Sequence, residues 1–573
     1  MGKMYYALAA LRVAASVLML GMVHPDEFFQ SQEVMARHFV PVDSALHREL
    51  FIPWEFQLPT PNRSVIFPAL VAGLPYKVLE LLGVKLTGWL MLVTPRLLLC
   101  LLSFMIDAIL YHVVGKLSRH QKPEIKREKQ EKALLLFASS WPTLVFLCRP
   151  FSNTFETLIL ALCFAVLFLV NPYRRVFCGV VHVQTCLLGG LLAVGFFTRF
   201  TFPVFFFPLG VELVRQQDSL LVVGARKKET ANTPSVVRRL AATAGVVLQG
   251  VSAFLTWAIL FVVVDTRYFR PEVFEGELNG ALLKKIARNA VIAPLNNLLY
   301  NMQYDNLELH GVHPRFTHLT VNMPMLFGPI FLVFLVRFLR YPDRSFFGSA
   351  CVFFPLVCLS LAPHQEPRFM LPAIVPLHLF TALSGRMGVV RFLTKHKLGK
   401  LLWVIFNVAL ALFFGVLHQG GILPMLLSLS TASNSVGNPS TWLSLCNFEG
   451  ADNLALGAVP LIFARTYMPP RFLLTGITTE PAFQVIDLAG NTAKDVLELL
   501  SAAKAEQFSG KKSEALLVLP ASVEVSDIVP TNSSTILSVS KVGGCVPHLS
   551  MEDFVIDTPF LELFLIKLAT ESQ

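Results

Sequence analysis

Apolar residues in this chain fall into long runs separated by short polar segments, a pattern typical of helices that cross a membrane. The pattern gives about 11 such runs, most of them near the ~17–25 residues that one membrane-spanning helix needs. They cover residues 5–23, 86–114, 133–147, 155–170, 182–197, 200–214, 241–264, 319–339, 346–361, 369–384 and 401–417. A further segment, 65–84, is interrupted by Pro68 and Pro75 and fits a surface helix, a re-entrant segment or another span. The pattern predicts an all-α multi-pass membrane protein.

The last part of the chain has a different pattern. From residue 434 onward, short apolar runs alternate with charged and turn-rich stretches, which predicts a small domain of mixed α and β structure. We therefore divide the chain into a membrane domain, residues 1–430, and a C-terminal domain, residues 431–573. Cys446 and Cys545 both fall in the second domain and are candidates for a disulfide if it faces an oxidising compartment.

Composition excludes a single soluble globule. The 573 residues are 54% hydrophobic and only 15% charged, against roughly 25% charged in ordinary soluble domains. The net charge of +10 would suggest nucleic acid as the partner of a soluble protein. Here, however, the basic clusters stand beside apolar runs, which is typical of short cytoplasmic loops in membrane proteins. We therefore expect no nucleic-acid partner.

Charge also predicts the orientation in the membrane. The basic clusters at 116–132, 174–175, 226–239, 337–344 and 386–400 all fall on one side when the spans alternate, and the positive-inside rule makes that side cytoplasmic. Residues 24–64 carry six acidic and three basic residues and are expected on the other side, together with the C-terminal domain. Two glycosylation acceptor patterns, at Asn62 and Asn532, fall on that same side. The first run, preceded by Lys3, is interpreted as an uncleaved anchor.

Ionisable and hydrogen-bonding residues gather at the non-cytoplasmic ends of the spans, in connections too short to need them. Charged residues near membrane helices are costly, so several such groups on one face indicate a functional site. The candidate site residues are His24, Asp26, Glu27 and Gln30, then Arg149 and Asn153, then Arg199, then His310, His313 and Arg315, and finally His364, Glu366 and Arg368.

The pair Asp26 and Glu27 follows Pro25 at the exit of the first span and suits a general base acting on a hydroxyl near the membrane surface. The alternative is structural, because an acidic pair after a proline is also an acceptable first turn of a helix. We assign the base to Asp26, with Glu27 supporting it. Arginine and histidine at the other positions suit an anionic phosphate. The histidines lack the spacing of a zinc enzyme, so no metal is expected.

Several of these strings resemble the dolichyl-phosphate-mannose-dependent mannosyltransferases of the endoplasmic reticulum. The resemblance spans residues 1 to about 420 and departs from the family at Gln365, where a lysine is usual in that motif. A long string that runs from Asn306 to His318 and continues through 321–324 and 328–329 is similar to the branch that adds a fourth mannose to the glycosylphosphatidylinositol (GPI) anchor precursor. The strings that carry the family resemblance are 24–31, 149–156 and 364–369.

The resemblance implies a GT-C type glycosyltransferase with a luminal active site in the endoplasmic reticulum membrane, and a luminal C-terminal domain. It implies an inverting alpha-1,2-mannosyltransferase that needs no metal or other cofactor. The donor would be dolichyl-phosphate-mannose, and the acceptor the third mannose of a GPI glycolipid. Protein partners are not indicated.

Two alternatives stay open. One is a sibling transferase with the same donor, which adds the third GPI mannose or extends the dolichol-linked oligosaccharide. The other is a multi-pass transporter or scaffold whose cations bind a carried anion. The transporter interpretation predicts charges near the bilayer midplane and repeated halves, whereas the candidate residues gather at span ends on one face.

Overall fold

A computed structural model describes residues 2–176, 181–227, 235–277, 279–308, 311–340, 346–384, 388–432, 445–448, 460–475, 484–488, 513–528, 536–551 and 562–570. This part of the chain is mostly helical. The helices are α1 Lys3–Leu18, α2 Glu33–Ala36, α3 Ala45–Glu49, α4 Ile66–Pro68, α5 Leu74–Leu81, α6 Gly88–Leu117, α7 Pro123–Ala138, α8 Trp141–Val145, α9 Ser152–Leu169, α10 Val183–Thr198, α11 Phe202–Lys227, α12 Val236–Phe269, α13 Gly280–Arg288, α14 Ala293–Asn301, α15 Tyr304–Glu308, α16 Met323–Arg340, α17 Phe346–Ser360, α18 Ile374–Leu383, α19 Gly388–Lys395, α20 Lys397–Leu412, α21 Ile422–Ala432 and α22 Val525–Ile528.

Short turns of other helix types join these helices. Wide π-helical turns occupy Phe28–Gln32, Ala69–Gly73, His318–Asn322 and Phe413–Leu417. Tight 3₁₀ turns occupy Trp54–Phe56, Pro271–Phe274, Pro367–Ala373 and Arg471–Leu474. Two of the π-helical turns and one 3₁₀ turn flank the candidate site, as is common for such irregular turns.

Five helices of the described chain are long and apolar enough to cross a membrane: Gly88–Leu117, Ser152–Leu169, Val236–Phe269, His318–Arg340 and Lys397–Leu417. Shorter apolar helices occupy Val183–Thr198, Phe346–Ser360 and Pro367–Leu383. The long helices coincide with runs that the hydrophobic pattern predicts. The total of about 11 spans stays a prediction.

Two predicted segments differ in detail from the structure. The run 133–147 is not one helix, because α7 ends at Ala138 and a separate short helix, α8, begins at Trp141 with Pro142 in its first turn. Proline lacks an amide hydrogen and cannot continue a preceding helix. The segment 65–84 is helical through α4, a π-helical turn and α5, and its end is exposed, with Leu81 75% exposed.

The basic connection 116–132 and the start of α7 meet the end of α18 and helix α19 at one end of the helix bundle, which we call the basic end. Lys395 of α19 lies 2.9 Å from Glu128 of α7, and the Lys129 ammonium donates to the Leu383 carbonyl at the end of α18. The candidate site residues lie at the opposite ends of the helices. Helix α17 connects the two, since Phe346 at its start lies around one cavity with Lys129, and its last residue, Ser360, stands shortly before His364.

Strands β1 Arg175–Val176 and β2 Val181–His182 form a separate hairpin. The C-terminal segment contains a six-stranded mixed sheet, whose strands are β3 Cys446–Phe448, β4 Leu461–Phe463, β5 Val485–Asp487, β6 Ser513–Pro520, β7 Ile536–Cys545 and β8 Leu563–Thr570. Antiparallel pairing joins β3 to β7, β7 to β8 and β8 to β6, and parallel pairing joins β6 to β4 and β4 to β5. A disulfide links Cys446 of β3 to Cys545 of β7, so the candidate pair is bonded.

A hydrophobic core joins the segment after the first helix to the C-terminal segment. It contains Met22 and Phe28 from the start of the chain, and Leu426, Phe472 and Leu565 from its end, all almost completely buried. The rings of Phe28 and Phe472 lie 6.3 Å apart. The sheet is therefore packed against the part of the chain that carries the candidate acidic pair.

Candidate active site

The acidic pair lies where the chain leaves the first helix and is held by the backbone on both sides. The Gly21 amide donates to the Gly415 carbonyl at 2.8 Å, and the Met22 amide donates to the His418 carbonyl at 2.9 Å. The carbonyl of Pro25 then accepts from the Phe28 and Phe29 amides. The pair therefore also forms the first turn of a helix, as the structural alternative predicts. A helix start does not exclude chemistry, because the two side chains differ in what they contact.

Glu27 is completely buried and faces inward. One carboxylate oxygen accepts from Arg96 Nε at 2.7 Å, and the other accepts from Arg149 Nη1 at 2.7 Å. Arg149 also donates to the carbonyl oxygens of Gly21 and Met19. This ion triad uses both carboxylate oxygens of Glu27, which favours a supporting role for it. It also places Arg149 among the structural cations, whereas the sequence made it a candidate phosphate contact.

Asp26 is the accessible member of the pair, with a side chain 25% exposed. Its carboxylate forms an ion pair with Arg368 and accepts a hydrogen bond from Gln30. The second oxygen lies 3.4 Å from His24 Nδ1. Burial raises the pKa of Asp26, but the positive charge of Arg368 and the neighbouring His24 outweigh it and hold the pKa well below its usual value. Asp26 is therefore ionised at neutral pH.

Arg368 joins the two acidic parts of the site. Its guanidinium contacts Asp26 through Nη1 and Glu366 through Nε. His364 Nε2 lies 2.8 Å from Glu366, and His24 Nε2 lies 3.9 Å from it. Groups that lie 342 residues apart in sequence thus form one network.

The network fixes the charge of its members. Burial raises the pKa of Glu366, but Arg368 and His24 hold it well below the usual value. Burial lowers the pKa of His364, yet its hydrogen bond to Glu366 leaves the pKa raised overall. The site therefore presents ionised carboxylates beside a permanently cationic guanidinium and a histidine that is readily protonated.

Gln30 connects this network to the start of α9 and the end of α10. Its side-chain oxygen accepts from Ser152 Oγ at 2.9 Å, and the same hydroxyl accepts from Arg199 Nη1 at 3.0 Å. Arg199 also donates to Asn153 at 3.4 Å and lies with its guanidinium carbon 5.1 Å from the centre of the Phe369 ring. The predicted groups at Asn153 and Arg199 therefore belong to the same site.

The loop after α15 reaches the site through its histidine. His313 Nδ1 accepts from the Gln365 amide at 3.4 Å, and its ring centre lies 5.9 Å from that of His364. Arg315 is exposed and donates to the Leu361 carbonyl. His310 lies outside the described residues. The structure thus brings His313 beside the network and places Arg315 at its edge.

Gln365, where the resemblance described above implies a lysine, holds two loops together. Its side-chain nitrogen, Nε2, donates to the backbone carbonyls of Arg315, Ser360 and Ala362. Its side-chain oxygen, Oε1, accepts from the backbone amide of His318 at 2.9 Å. A lysine has no acceptor atom and could not bind the His318 amide. The neutral side chain here is therefore structural and adds no charge to the site.

Three acidic or basic residues of the site were not singled out from the sequence. Glu55 lies 3.3 Å from Gln30 Nε2 and pairs with Arg63 at 2.8 Å, and Glu156 lies 3.4 Å from Arg199 Nε. Glu156 carried a signal, because an acid inside an apolar run usually marks a functional position. Glu55 and Arg63 carried none, since they lie in a polar loop where charged residues are ordinary.

Two further expectations concern modification and metal. Asn62 is only 7% exposed, which disfavours it as a glycosylation acceptor, and Asn532 lies outside the described residues. Within the described ranges, no three His, Cys, Asp or Glu side chains are arranged to hold a metal ion. Metal independence remains a prediction.

Comparisons with known proteins find mannosyltransferases that match most of the chain, in agreement with the resemblance noted in the sequence. Residues 3–441 match the model of the Alg9-like mannosyltransferase family. The human protein named GPI alpha-1,2-mannosyltransferase 4 is 34% identical, over 84% of this chain and 78% of its own length. A protein of Emericella nidulans named GPI mannosyltransferase 4 is 30% identical, over 96% of this chain and 93% of its own length.

One solved structure also aligns along most of the chain. It is ArnT from Cupriavidus metallidurans bound to undecaprenyl phosphate, with a TM-score of 0.48, 13% identity and coverage of 98% of this chain and 97% of that one. A likeness of this size carries no argument about fold or function.

Proposed function

The chain belongs to the Alg9-like mannosyltransferase family, and from that premise we propose that it adds the fourth mannose to the GPI anchor precursor. The donor is dolichyl-phosphate-mannose, and the product is an alpha-1,2 linkage to the third mannose. Two relatives of at least 30% identity support this acceptor: their names are GPI alpha-1,2-mannosyltransferase 4 and GPI mannosyltransferase 4, and both are matched over more than three quarters of their length.

The proposed reaction is a single in-line displacement in a GT-C type enzyme. The acceptor hydroxyl oxygen bonds to the anomeric carbon of the donor mannose, and the bond from that carbon to the phosphate oxygen breaks with its electron pair. The dolichyl phosphate leaves as an anion, and the configuration inverts. Cations placed where this negative charge develops stabilise the transition state. Arg368, Arg199 and His364 are the proposed contacts.

Asp26 takes the proton of the acceptor hydroxyl in this proposal. The observation that carries it is the contrast within the pair, because Glu27 is buried between two arginines and Asp26 is partly exposed. A carboxylate whose pKa is held low is a weak base. An anionic donor phosphate beside Arg368 would offset that positive charge, and Asp26 would become more basic when the donor is bound.

We further propose that the site faces the lumen of the endoplasmic reticulum. The basic clusters support this orientation, because positively charged loops favour the cytoplasmic side. The Cys446–Cys545 disulfide also supports it, because disulfides persist mainly in oxidising compartments. Both features indicate the same orientation from independent parts of the chain.

A sibling transferase is the main alternative, and a direct assay separates the two. Purified protein is given labelled dolichyl-phosphate-mannose with a trimannosyl GPI acceptor, a dimannosyl GPI acceptor or dolichol-linked oligosaccharide. We expect a tetramannosyl product whose added label an alpha-1,2-specific mannosidase releases, and about 10²–10⁴-fold slower formation of that product by the Asp26→Asn variant. Label on another acceptor alone would refute the proposed acceptor. No label on any acceptor, from folded protein, would refute the transferase.

A further inference from the structure

Glu55 is a second carboxylate beside Asp26, and its position is fixed by the backbone around it. It lies in the 3₁₀ turn Trp54–Phe56. Its backbone carbonyl accepts from the amides of Asn62 and Arg63, at 2.8 and 3.1 Å. The Asn297 side chain of α14 in turn donates to the Asn62 carbonyl at 3.0 Å. The turn is therefore held both by its own backbone and by α14.

A single amide nitrogen binds both carboxylates. Gln30 Nε2 donates to Asp26 Oδ2 and also to Glu55 Oε2, which lies 3.3 Å away. The side-chain oxygen of Gln30 accepts from Ser152 Oγ, so the nitrogen is the end that faces the carboxylates. Two acceptor oxygens that share one donor nitrogen lie within roughly 6 Å of each other. Asp26 and Glu55 are therefore neighbours in space, although they belong to different turns of the chain.

The two carboxylates are accessible, whereas the amide between them is not. The side chains of Asp26 and Glu55 are 25% and 16% exposed, and Gln30 is only 2% exposed. Each carboxylate is paired with one arginine, Asp26 with Arg368 and Glu55 with Arg63. A carboxylate can accept about four hydrogen bonds, so each of the two can bind a further hydroxyl donor. Gln30 is thus a buried spacer between two groups that a substrate can reach.

We propose that Glu55 binds the acceptor sugar by accepting a hydrogen bond from its 3-hydroxyl, while Asp26 takes the proton of the 2-hydroxyl. The assignment rests on the proposed function, in which the alpha-1,2 linkage makes the 2-hydroxyl of the third mannose the reacting group. Carbon 1 of that ring is already bonded to its glycosidic oxygen. The 3-hydroxyl is therefore the only hydroxyl next to the reacting one.

Two neighbouring carboxylates suit two neighbouring hydroxyl donors. Hydrogen bonds to a charged acceptor are stronger than those to a neutral one. A site that binds a particular hydroxyl also discriminates against a sugar that lacks it. Glu55 is thus a binding residue that selects the acceptor sugar and directs its 2-hydroxyl toward Asp26.

The test uses the full-length protein in detergent, labelled dolichyl-phosphate-mannose and two synthetic acceptors. One is the trimannosyl GPI acceptor, and the other is its analogue with hydrogen in place of the 3-hydroxyl on the third mannose. We expect the wild-type protein to lose about 10–100-fold in kcat/KM with the analogue, because a hydrogen bond to a charged group is lost. Most of this loss should appear as a higher KM for the acceptor, since the contact is made in the bound substrate as well as in the transition state.

Two variants separate binding by Glu55 from a purely structural role of the turn. Folded Glu55→Ala should use the two acceptors equally, within about twofold, because no oxygen remains to bind the 3-hydroxyl. Asp43→Ala, which removes an exposed carboxylate from the same loop, is the matched control and should keep the wild-type preference.

Equal use of both acceptors by the wild-type protein would overturn the inference, even if Glu55→Ala fails to fold. An undiminished preference in folded Glu55→Ala would overturn it as well. No product from the complete acceptor would refute the proposed acceptor, and this inference with it, whereas product with equal use of the analogue would refute the role of Glu55 alone.

Discussion

Two neighbouring carboxylates of this chain have opposite surroundings. Glu27 is fully buried between Arg96 and Arg149, while Asp26 is partly exposed and paired with Arg368. A buried ion pair that loses one partner leaves an uncompensated charge, which typically costs about 3–5 kcal/mol. The loss of a proton acceptor that touches the substrate instead affects the rate. The two positions are therefore expected to give different defects.

We expect Asp26→Asn to lower mannose transfer by about 10²–10⁴-fold in a protein that still folds. We expect Glu27→Gln to lower the unfolding temperature clearly, because Arg96 and Arg149 remain buried with less compensating charge. Thermal unfolding in detergent and transfer per folded protein measure the two effects. Asp43→Asn, an exposed change in the same loop, is the control. Full activity in Asp26→Asn would contradict the proposed base and would leave the acidic pair with only a structural role at the start of a helix.

Glu33 gives a pH dependence to the contact between the first loop and the C-terminal segment. Its carboxylate oxygens accept from the backbone amides of Phe51 and Phe472, each at 3.2 Å. Burial raises its pKa from the usual value near 4.5 to about 7. The folded protein therefore binds this proton more tightly than the unfolded chain. Its contribution to stability is full below about pH 4.5 and is lost as the pH rises toward about 7.

Glu33→Gln should remove this part of the pH dependence. We expect the unfolding temperature of the wild-type protein to fall more steeply between pH 5 and pH 7.5 than that of the variant. Glu80→Gln, an exposed change on α5, should keep the wild-type slope. Identical slopes for wild type and Glu33→Gln would show that Glu33 does not titrate in this range.

At the residue level, the sequence predicted many of the side chains that the structure brings together in the candidate site, but not what each one contacts. Polar and charged residues at the ends of spans are costly and therefore indicate function, which is why the sequence predicted Asp26, Gln30, Arg199 and Arg368. The burial of Arg149 could not be predicted, because it depends on Glu27 turning inward, more than a hundred residues away. The sequence shows that the two acids are adjacent, but it does not show which side chain points into the core and which points into a cleft.

At the scale of elements, the site is assembled from helix ends. The start of α9, the end of α10, the loop after α17 and the turn before Phe28–Gln32 each supply one part. Hydrophobic patterning predicts such helices well, because a span needs a long apolar run. It places breaks less well, since α7 and α8 fall in a single apolar run and separate at residues where only Pro142 gives a local signal.

The contact between α6 and the C-terminal segment requires a glycine. A Cβ atom at Gly88 would lie 2.3 Å from the Leu473 carbonyl oxygen, so the backbone of one element would have to move. We expect Gly88→Ala to destabilise the protein by about 1–3 kcal/mol, as overpacking commonly does. Limited proteolysis and thermal unfolding measure the effect, and cleavage in the C-terminal segment should become faster.

Gly245→Ala provides the matched control. Gly245 lies inside α12, and a Cβ there meets no atom within 4 Å. Alanine favours a helix more than glycine does, so stability should stay constant or rise. If Gly88→Ala and Gly245→Ala behave alike, the close approach at Leu473 does not hold the segment in place.

At the scale of the whole molecule, the basic end and the candidate active site lie at opposite ends of the helices. The orientation predicted from charge places residues 116–132 in the cytosol and Asn532 in the lumen. We expect an acceptor pattern inserted near Lys126 to stay unglycosylated, while an optimised pattern at Asn532 gains a glycan that a glycosidase removes. The reverse result would invert the topology and contradict a luminal site.

The hydrophobic core that combines Met22 and Phe28 with Leu426, Phe472 and Leu565 sets an order on biosynthesis. A ribosome completes the first of these residues hundreds of codons before the last. The apolar side chains of the early segment therefore stay partly exposed until strand β8 has been synthesised. Exposed apolar surface in such an intermediate favours aggregation. A premature stop codon after residue 430 would leave the membrane helices intact and this core without its second half. Late truncations of the gene should consequently act as complete losses of function.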